Sequence, residues 1–346
     1  MAQFRAFSSF DELCQAVATL DGTHLNVEKL TNMMGLLPTP EETNSLKRFN
    51  DNEKSGSDGL GRAELFFLSV MKIPRFTQKL EVFQYTLQFD DQVQSLTSSL
   101  QALGRACDEV VCSKKLASIL RRLLQIGNLM NASTGKPEAK GITLDSLIKT
   151  AKKKSNDGRI MVIDLVVSQT LAKNLDVDFW SDMPAVRDAT RLDLDDIRLL
   201  LRDIQKGSQS VKHSIQAEKA ESSPSEQFLA QLEPFLAKAN GSIENSKNLF
   251  SRVEEKVKSL CSFFAEDQKS CKVRFDNTPV CSSMQAKCSS QSHPCLFNIL
   301  LQTLQASTIF CVLLDFSRLV DKSKEQHLRK EQAKRRESRR RPSSAL

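Results

Sequence analysis

From Thr77 to about Ile126 the apolar residues return every three or four positions within each run: Leu80, Phe83, Leu87; Val93, Leu96, Leu100, Leu103; Leu116, Ile119, Leu120, Leu123. A strand alternates with period two, so this spacing excludes a sheet and requires amphipathic helices separated by short interruptions. A helix that is apolar along one stripe must bury it against another element, and repeated long stripes of this kind describe an all-α assembly. The composition agrees. With 12 Gly, 10 Pro, one Trp and one Tyr in 346 residues, the chain lacks the turn-forming and aromatic residues a sandwich or barrel needs, although it holds 19 Phe.

The remaining helices are marked by their ends. Ser9 is placed as a cap before a run carrying Phe10, Leu13, Val17 and Leu20, and a second run from Asn26 carries Val27, Leu30, Met33 and Met34. In "LLPTPEE" Pro38 stops that helix, Thr39 caps the next, Pro40 suits its first position, and Glu41 and Glu42 suit its positive end. "NDNEKSGSDGLG" reads as a loop, and Arg62 to Met71 as a helix ending at Ile73-Pro74. Further helices are expected over Met161 to Leu175 and Asp193 to Ile204, and as a long pair on either side of Asn240-Gly241. Between Gln125 and Asp157 a helical run is expected to break at Gly127-Asn128, pass through a polar loop holding Gly135 and Gly141, and resume as a periodic run ending in Lys152, Lys153 and Lys154.

The net charge of +7 is local, because Lys322 to Pro342 holds ten Lys/Arg against three Glu and the rest of the chain is formally neutral. A run of this kind reads as a solvated or partner-binding helix rather than a nucleic-acid reader, and the body has no basic stripe with interleaved aromatics. A nuclear-localisation signal in "KRRESRRR" is the rival reading. The nine cysteines are odd in number and no secretory signal opens the chain, which points to a reducing, cytoplasmic setting. Pro294 to Leu314 is apolar but interrupted by Asn298, Gln302, Thr303, Gln305, Ser307 and Thr308, so no membrane span is expected.

No catalytic constellation stands out. The four histidines, His24, His213, His293 and His327, have no repeating metal-ligand spacing, and Gly135-Lys136 lacks both the upstream glycine and the hydroxyl residue of a phosphate-binding loop. Cys281, Cys288 and Cys295 recur every seven residues near His293, but zinc ligands come in closer pairs, so neither a metal nor any other cofactor is expected. The chain is not read as an enzyme.

Five segments in order and register, "LLPTPEE", "MKIPRFTQKLEVF", "GNLMN", "KGITLDSLIKTAKKKS" and "FFAED", resemble the formin homology-2 domain. The resemblance covers residues 4 to 271 and returns near 312 to 336, and it is nearest the FH2-domain-containing and inverted formins of animals. It implies an elongated all-α assembly of knob, coiled coil and post, working in actin filament nucleation and barbed-end elongation and associated with the cytoskeleton. It also assigns residues. Gly127, Asn128, Met130, Asn131 and Gly141 would belong to the dimer-contact post, Lys154 would touch actin, and Lys334, Arg335, Arg336, Arg339, Arg340 and Arg341 would form a basic tail. Actin is the implied partner, with another formin subunit, or microtubules through the tail, beside it.

Two departures from the family pattern accompany the resemblance. The first Ile is Ile73, so the N-terminal lasso and the actin-binding isoleucine of the knob are expected to be missing, which would leave a weakly associating chain impaired in nucleation. Residues 272–311, rich in Cys and Ser, read as an inserted or alternative segment between a partial domain over 1–271 and its last helix and basic tail over 312–346. The other function these residues would allow is a non-actin helical scaffold that binds formins or microtubules.

Overall fold

The computed structural model describes residues 7–52, 60–135, 137–155, 157–221, 223–264 and 305–340. The fold is all-α, as the periodicity requires. Among the described residues the β pairing is confined to one isolated bridge, between Lys154 and Met161. The helices are α1 Phe10–Ala18, α2 Val27–Met34, α3 Pro40–Asn52, α4 Arg62–Met71, α5 Phe76–Cys112, α6 Lys114–Asn131, α7 Leu144–Lys152, α8 Val162–Ala172, α9 Pro184–Ala189, α10 Leu194–Lys219, α11 Glu226–Phe263 and α12 Gln305–Arg340.

Several of their starts follow from side-chain caps. Ser9 Oγ accepts from the Glu12 N–H at 3.1 Å, and Ser113 Oγ accepts from Leu116 at 3.2 Å. Thr39 and Glu42 form a reciprocal pair, Thr39 Oγ1 accepting from the Glu42 N–H at 3.3 Å while Glu42 Oε2 accepts from the Thr39 N–H at 2.8 Å. With Pro40 as the first residue of α3, the expected stop and restart is observed, although α3 takes in Asn50 to Asn52, which had read as loop.

Three expected interruptions do not occur. Between Thr77 and Ile126 the helix breaks once, at Ser113, so α5 is continuous over 37 residues. The region from Asp193 continues to Lys219, and Asn240-Gly241 lies inside the 38-residue α11, as does Pro234. In each case the apolar stripe runs past the local breaker: Leu232, Ala239, Ile243 and Phe250 are all buried along α11. Covering that stripe outweighs a propensity cost of about 1 kcal/mol for a helical Gly.

The described chain forms two compact units, residues 1–97 with 199–248 and residues 98–198 with 249–346. In the first, Leu13, Val17, Leu30, Phe66, Leu80, Phe83, Val211, Ile215, Phe228 and Leu232 share one core. Tyr85, Phe89 and Phe235 pack edge to face with centroids 5.2 to 6.0 Å apart, and the Tyr85 hydroxyl donates to the Ile204 carbonyl at 2.7 Å. Burial pushes the Tyr85 phenol well above its ordinary pKa. A buried ion cluster closes this unit. Glu218, 3% exposed, accepts from Lys79 Nζ at 3.0 Å and Arg75 at 2.8 Å, while Lys79 also stands 4.8 Å from the centroid of the Phe228 ring. Removing Glu218 would leave two cations without their shared carboxylate.

In the second unit α6 packs on α7 and α8, and α12 runs along α8 while also meeting α7 and α9. Ile309, Phe310, Leu313, Phe316 and Val320 of α12 are buried, with Phe316 stacked on Phe179 at 5.8 Å. The helix carrying these residues begins at Gln305. Lys115 Nζ gathers the loop before α9, lying 3.0 Å from both the Asp176 and Asp182 carboxylates and 3.1 Å from the Asp178 carbonyl. Hydrogen bonding to these two carboxylates holds the Lys115 ammonium above its ordinary pKa.

Cys14 and Cys107 are buried thiols pushed up to about 12, chiefly by desolvation, and so are unreactive, whereas Cys112 is exposed. No described helix is long and apolar enough to cross a membrane. Cys281, Cys288, Cys295 and His293 lie outside the described residues, as does most of the 272–311 segment.

Two helical glycines should respond oppositely to alanine. A Cβ on Gly207 would stand 2.2 Å from Tyr85 Cε2, in a ring fixed by its neighbours, whereas one on Gly241 meets nothing within 4 Å. Gly207→Ala is expected to lose about 1–3 kcal/mol in urea unfolding, and Gly241→Ala to gain about 0.5–1 kcal/mol. Effects of the same sign would contradict the packing described.

Candidate functional site

The segment with the densest turn chemistry, residues 125 to 162, lies wholly in the second unit. α6 does not break at Gly127-Asn128 but continues to Asn131, followed by one 3-10 turn over Ala132–Thr134. The correction has a physical basis. A Cβ on half-buried Gly127 would rest 3.6 Å from Thr150 Cγ2 of α7, an ordinary contact, so the helical backbone is held by packing and asks nothing special of this glycine. The reversal falls at Gly135, whose φ of +68° is left-handed and suits a residue without a Cβ.

Asn128 uses its side chain to hold the loop that follows. Its Nδ2 donates to the Ala139 carbonyl at 2.9 Å and its Oδ1 accepts from the Ala139 N–H at 3.1 Å, an amide paired in both directions with a backbone eleven residues on. Gly141 is exposed and does not have a positive φ. Met130 is half-buried and Asn131 exposed, while Leu129 leaves 76% of its surface to solvent, more than any other large apolar side chain among the described residues.

Thr143 Oγ1 accepts from Ser146 at 3.2 Å and starts α7, which ends at Lys152. The three lysines then separate. Lys152 is the last helical residue, Lys153 turns to extended backbone at φ −62° and ψ +133°, and Lys154 forms the bridge to Met161. The Val162 N–H donates to the Lys153 carbonyl and the Ser155 N–H to the Ile160 carbonyl, each at 2.8 Å. The turn closes through Gly158, left-handed at φ +70°, whose N–H donates to the Ser155 carbonyl at 2.8 Å. Asp157 accepts from the Ser155 hydroxyl and from the Arg159 N–H; those bonds, the Ser155 one first, hold its carboxyl below the usual carboxylate range. Lys154 thus projects, exposed, from a backbone fixed on both sides by the ladder. The Asp157-Gly158 pair was a readable turn signal that sequence reasoning passed over.

On α12, Lys334, Arg335 and Arg336 are exposed, with Lys334 paired to Glu331 at 3.2 Å. Arg339 and Arg340 continue the same helix, and Arg341 lies outside the described residues. Among the described residues no group of His, Cys, Asp and Glu is placed to hold a metal ion.

Residues 4–278 match the Formin Homology 2 Domain. The chain belongs to the formin homology 2 family. Formin-like protein 5 of Oryza sativa subsp. japonica is 30% identical over 261 residues, 75% of this chain and 16% of the relative. Formin-like proteins 18 and 17 of Arabidopsis thaliana are each 31% identical over 258 residues, 74% of this chain, and the match spans 22% and 51% of their respective lengths. The first two are thus matched over less than a quarter of their length. These relatives are plant proteins and give no support to the expected nearness to animal inverted formins.

If Asn128 holds the loop, Asn128→Ala should speed hydrogen exchange at the Ala139 amide by about two- to tenfold, the scale of one or two exposed hydrogen bonds. Unchanged protection there would show that the loop is held by other contacts.

Proposed function

We propose that this chain is an actin-binding module of formin type, acting in filament nucleation and barbed-end elongation. The observation that carries the reading is a family match over residues 4–278 that takes in the Lys154 turn, where one cation of a three-lysine run is held on a backbone bridge. Such a module needs no bond chemistry. Its work is to hold actin subunits in register, and a lysine on a fixed backbone loses less freedom on meeting an acidic surface than one on a fraying helix end.

Within this reading Lys154 contacts actin. The end of α6, with Gly127, Asn128, Met130 and Asn131, and the loop at Gly141 present the face that meets a second formin subunit. Exposed Leu129 supports that role, because an apolar side chain so open to water gains by being covered. The basic half of α12 adds salt-sensitive attraction to acidic filament surfaces, actin or microtubule. Association with the cytoskeleton follows from these contacts. Nothing in the fold or the relatives favours a scaffold indifferent to actin.

Co-sedimentation with actin filaments tests the assignment. Lys154→Ala should weaken binding about three- to fivefold, the scale of one exposed ion pair of up to about 1 kcal/mol, and Lys152→Ala and Lys153→Ala should do so by less. Equal losses from all three would mean that the run acts only as diffuse charge.

A further inference from the structure

Arginine stands three residues before a hydroxyl side chain at Ser8, Thr190, Ser338, Ser343 and Ser344, and at Ser338 and Ser343 a second arginine follows the first in the pattern Arg-Arg-x-Ser. Two guanidiniums at −3 and −2 are groups that a carboxylate-lined protein-kinase cleft grips in bidentate fashion while the hydroxyl meets the γ-phosphate of ATP. Such a cleft takes its substrate as an extended strand, so a hydroxyl serves as acceptor only where the chain around it opens at small cost.

The fold separates these positions. The Ser8 hydroxyl and N–H both donate to the Glu12 carboxylate at the start of α1, and half-buried Thr190 donates to the Arg187 carbonyl at 2.7 Å. Ser338 lies in the last turn of α12, which ends at Arg340. Residues 332–337, just before it, are all exposed, so no packed surface has to be broken to straighten this turn. Helix ends fray at close to no cost. Ser343 and Ser344 lie outside the described residues.

We propose that Ser338 is a phosphorylation site for a protein kinase that selects arginine at −3 and −2, and that the phosphate weakens the attraction of α12 for acidic surfaces. In the transfer the Ser338 oxygen bonds to the γ-phosphorus of ATP as the bond from that phosphorus to the oxygen bridging the β-phosphate breaks. ADP leaves, and the hydroxyl proton passes to the catalytic carboxylate of the kinase. The product adds a charge of about −1.5 to −2 to the stretch from Lys322 to Pro342, which holds ten Lys/Arg against three Glu. In the helical register position 338 stands one turn beyond Lys334 and Arg335, so the phosphate competes with any outside partner for those two cations. It also lies at the negative end of the helix dipole, which loosens the turn further. The acceptor assignment is independent of the actin reading, whereas the effect on binding rests on the part of that reading that gives the basic half of α12 to acidic surfaces.

The test is incubation of the whole chain with ATP and the catalytic subunit of cyclic-AMP-dependent protein kinase, with the modified residues mapped by fragment mass spectrometry. Phosphate should appear on Ser338. Arg335→Lys, which keeps the charge but loses the planar fork, should slow its appearance about tenfold. Binding is then read by fluorescence anisotropy with labelled poly-L-glutamate as the acidic surface, on a chain carrying Ser343→Ala and Ser344→Ala. Phosphorylation of that chain should weaken binding about three- to tenfold at low salt, the scale of one or two exposed ion pairs, and the difference should shrink as salt rises. Adding Ser338→Ala should abolish the response to kinase and ATP while leaving the untreated affinity unchanged. Because poly-L-glutamate replaces actin in this assay, a failure of the actin reading does not alter its outcome. The proposal is overturned if Ser338 stays unmodified, if Arg335→Lys is modified as fast as the native chain, or if phosphate on Ser338 leaves the affinity for poly-L-glutamate unchanged.

Discussion

An amphipathic helix is stable in water only once its apolar stripe is covered, and this chain is built almost entirely of such helices. α12 shows the consequence most plainly. Its second half is strongly polar, yet Ile309, Phe310, Leu313, Phe316 and Val320 of its first half are buried where it meets α7, α8 and α9. Each fully buried side chain of this size contributes about 1.5–3 kcal/mol. The same stretch of contact sets α8 beside α12, and α8 begins where the Lys154 bridge ends. The turn that carries the candidate contact residue is therefore positioned by burial of apolar surface on the helix that follows it.

Polar ties then fix what the helices leave loose. Lys115 holds the loop before α9 through two carboxylates and a carbonyl, Asn128 pairs with the backbone of Ala139, and Glu109 Oε2 accepts from the Val186 N–H in the first turn of α9. None of these ties is strong by itself. Their shared effect is that the connections around α6 to α9 are held at named atoms, so a surface made of loops and helix ends keeps one shape for a partner to meet.

The helix starts after Ser9 and Thr39 were legible because caps and prolines act locally, and the start at Arg62 because a polar, glycine-rich loop precedes it. Breaks expected at Gly127-Asn128 and Asn240-Gly241 were misjudged because turn propensity is worth about 1 kcal/mol and burial of the flanking stripe is worth more. Lys79 and Glu218 were hidden for a different reason. They lie 139 positions apart, and a buried ion pair looks in sequence like two exposed charges. The "GNLMN" and "KGITLDSLIKTAKKKS" segments were singled out through resemblance, but the bonds Asn128 makes and the closure of the 155–158 turn are matters of three-dimensional hydrogen bonding.

The most direct measurement is actin assembly followed by pyrene fluorescence, with single-filament imaging of barbed ends, across a range of concentrations of the whole chain. A formin-type module should change the lag before assembly or the rate at which barbed ends elongate, and the change should saturate with concentration. Assembly curves and barbed-end rates indistinguishable from those of actin alone at every concentration would contradict the account.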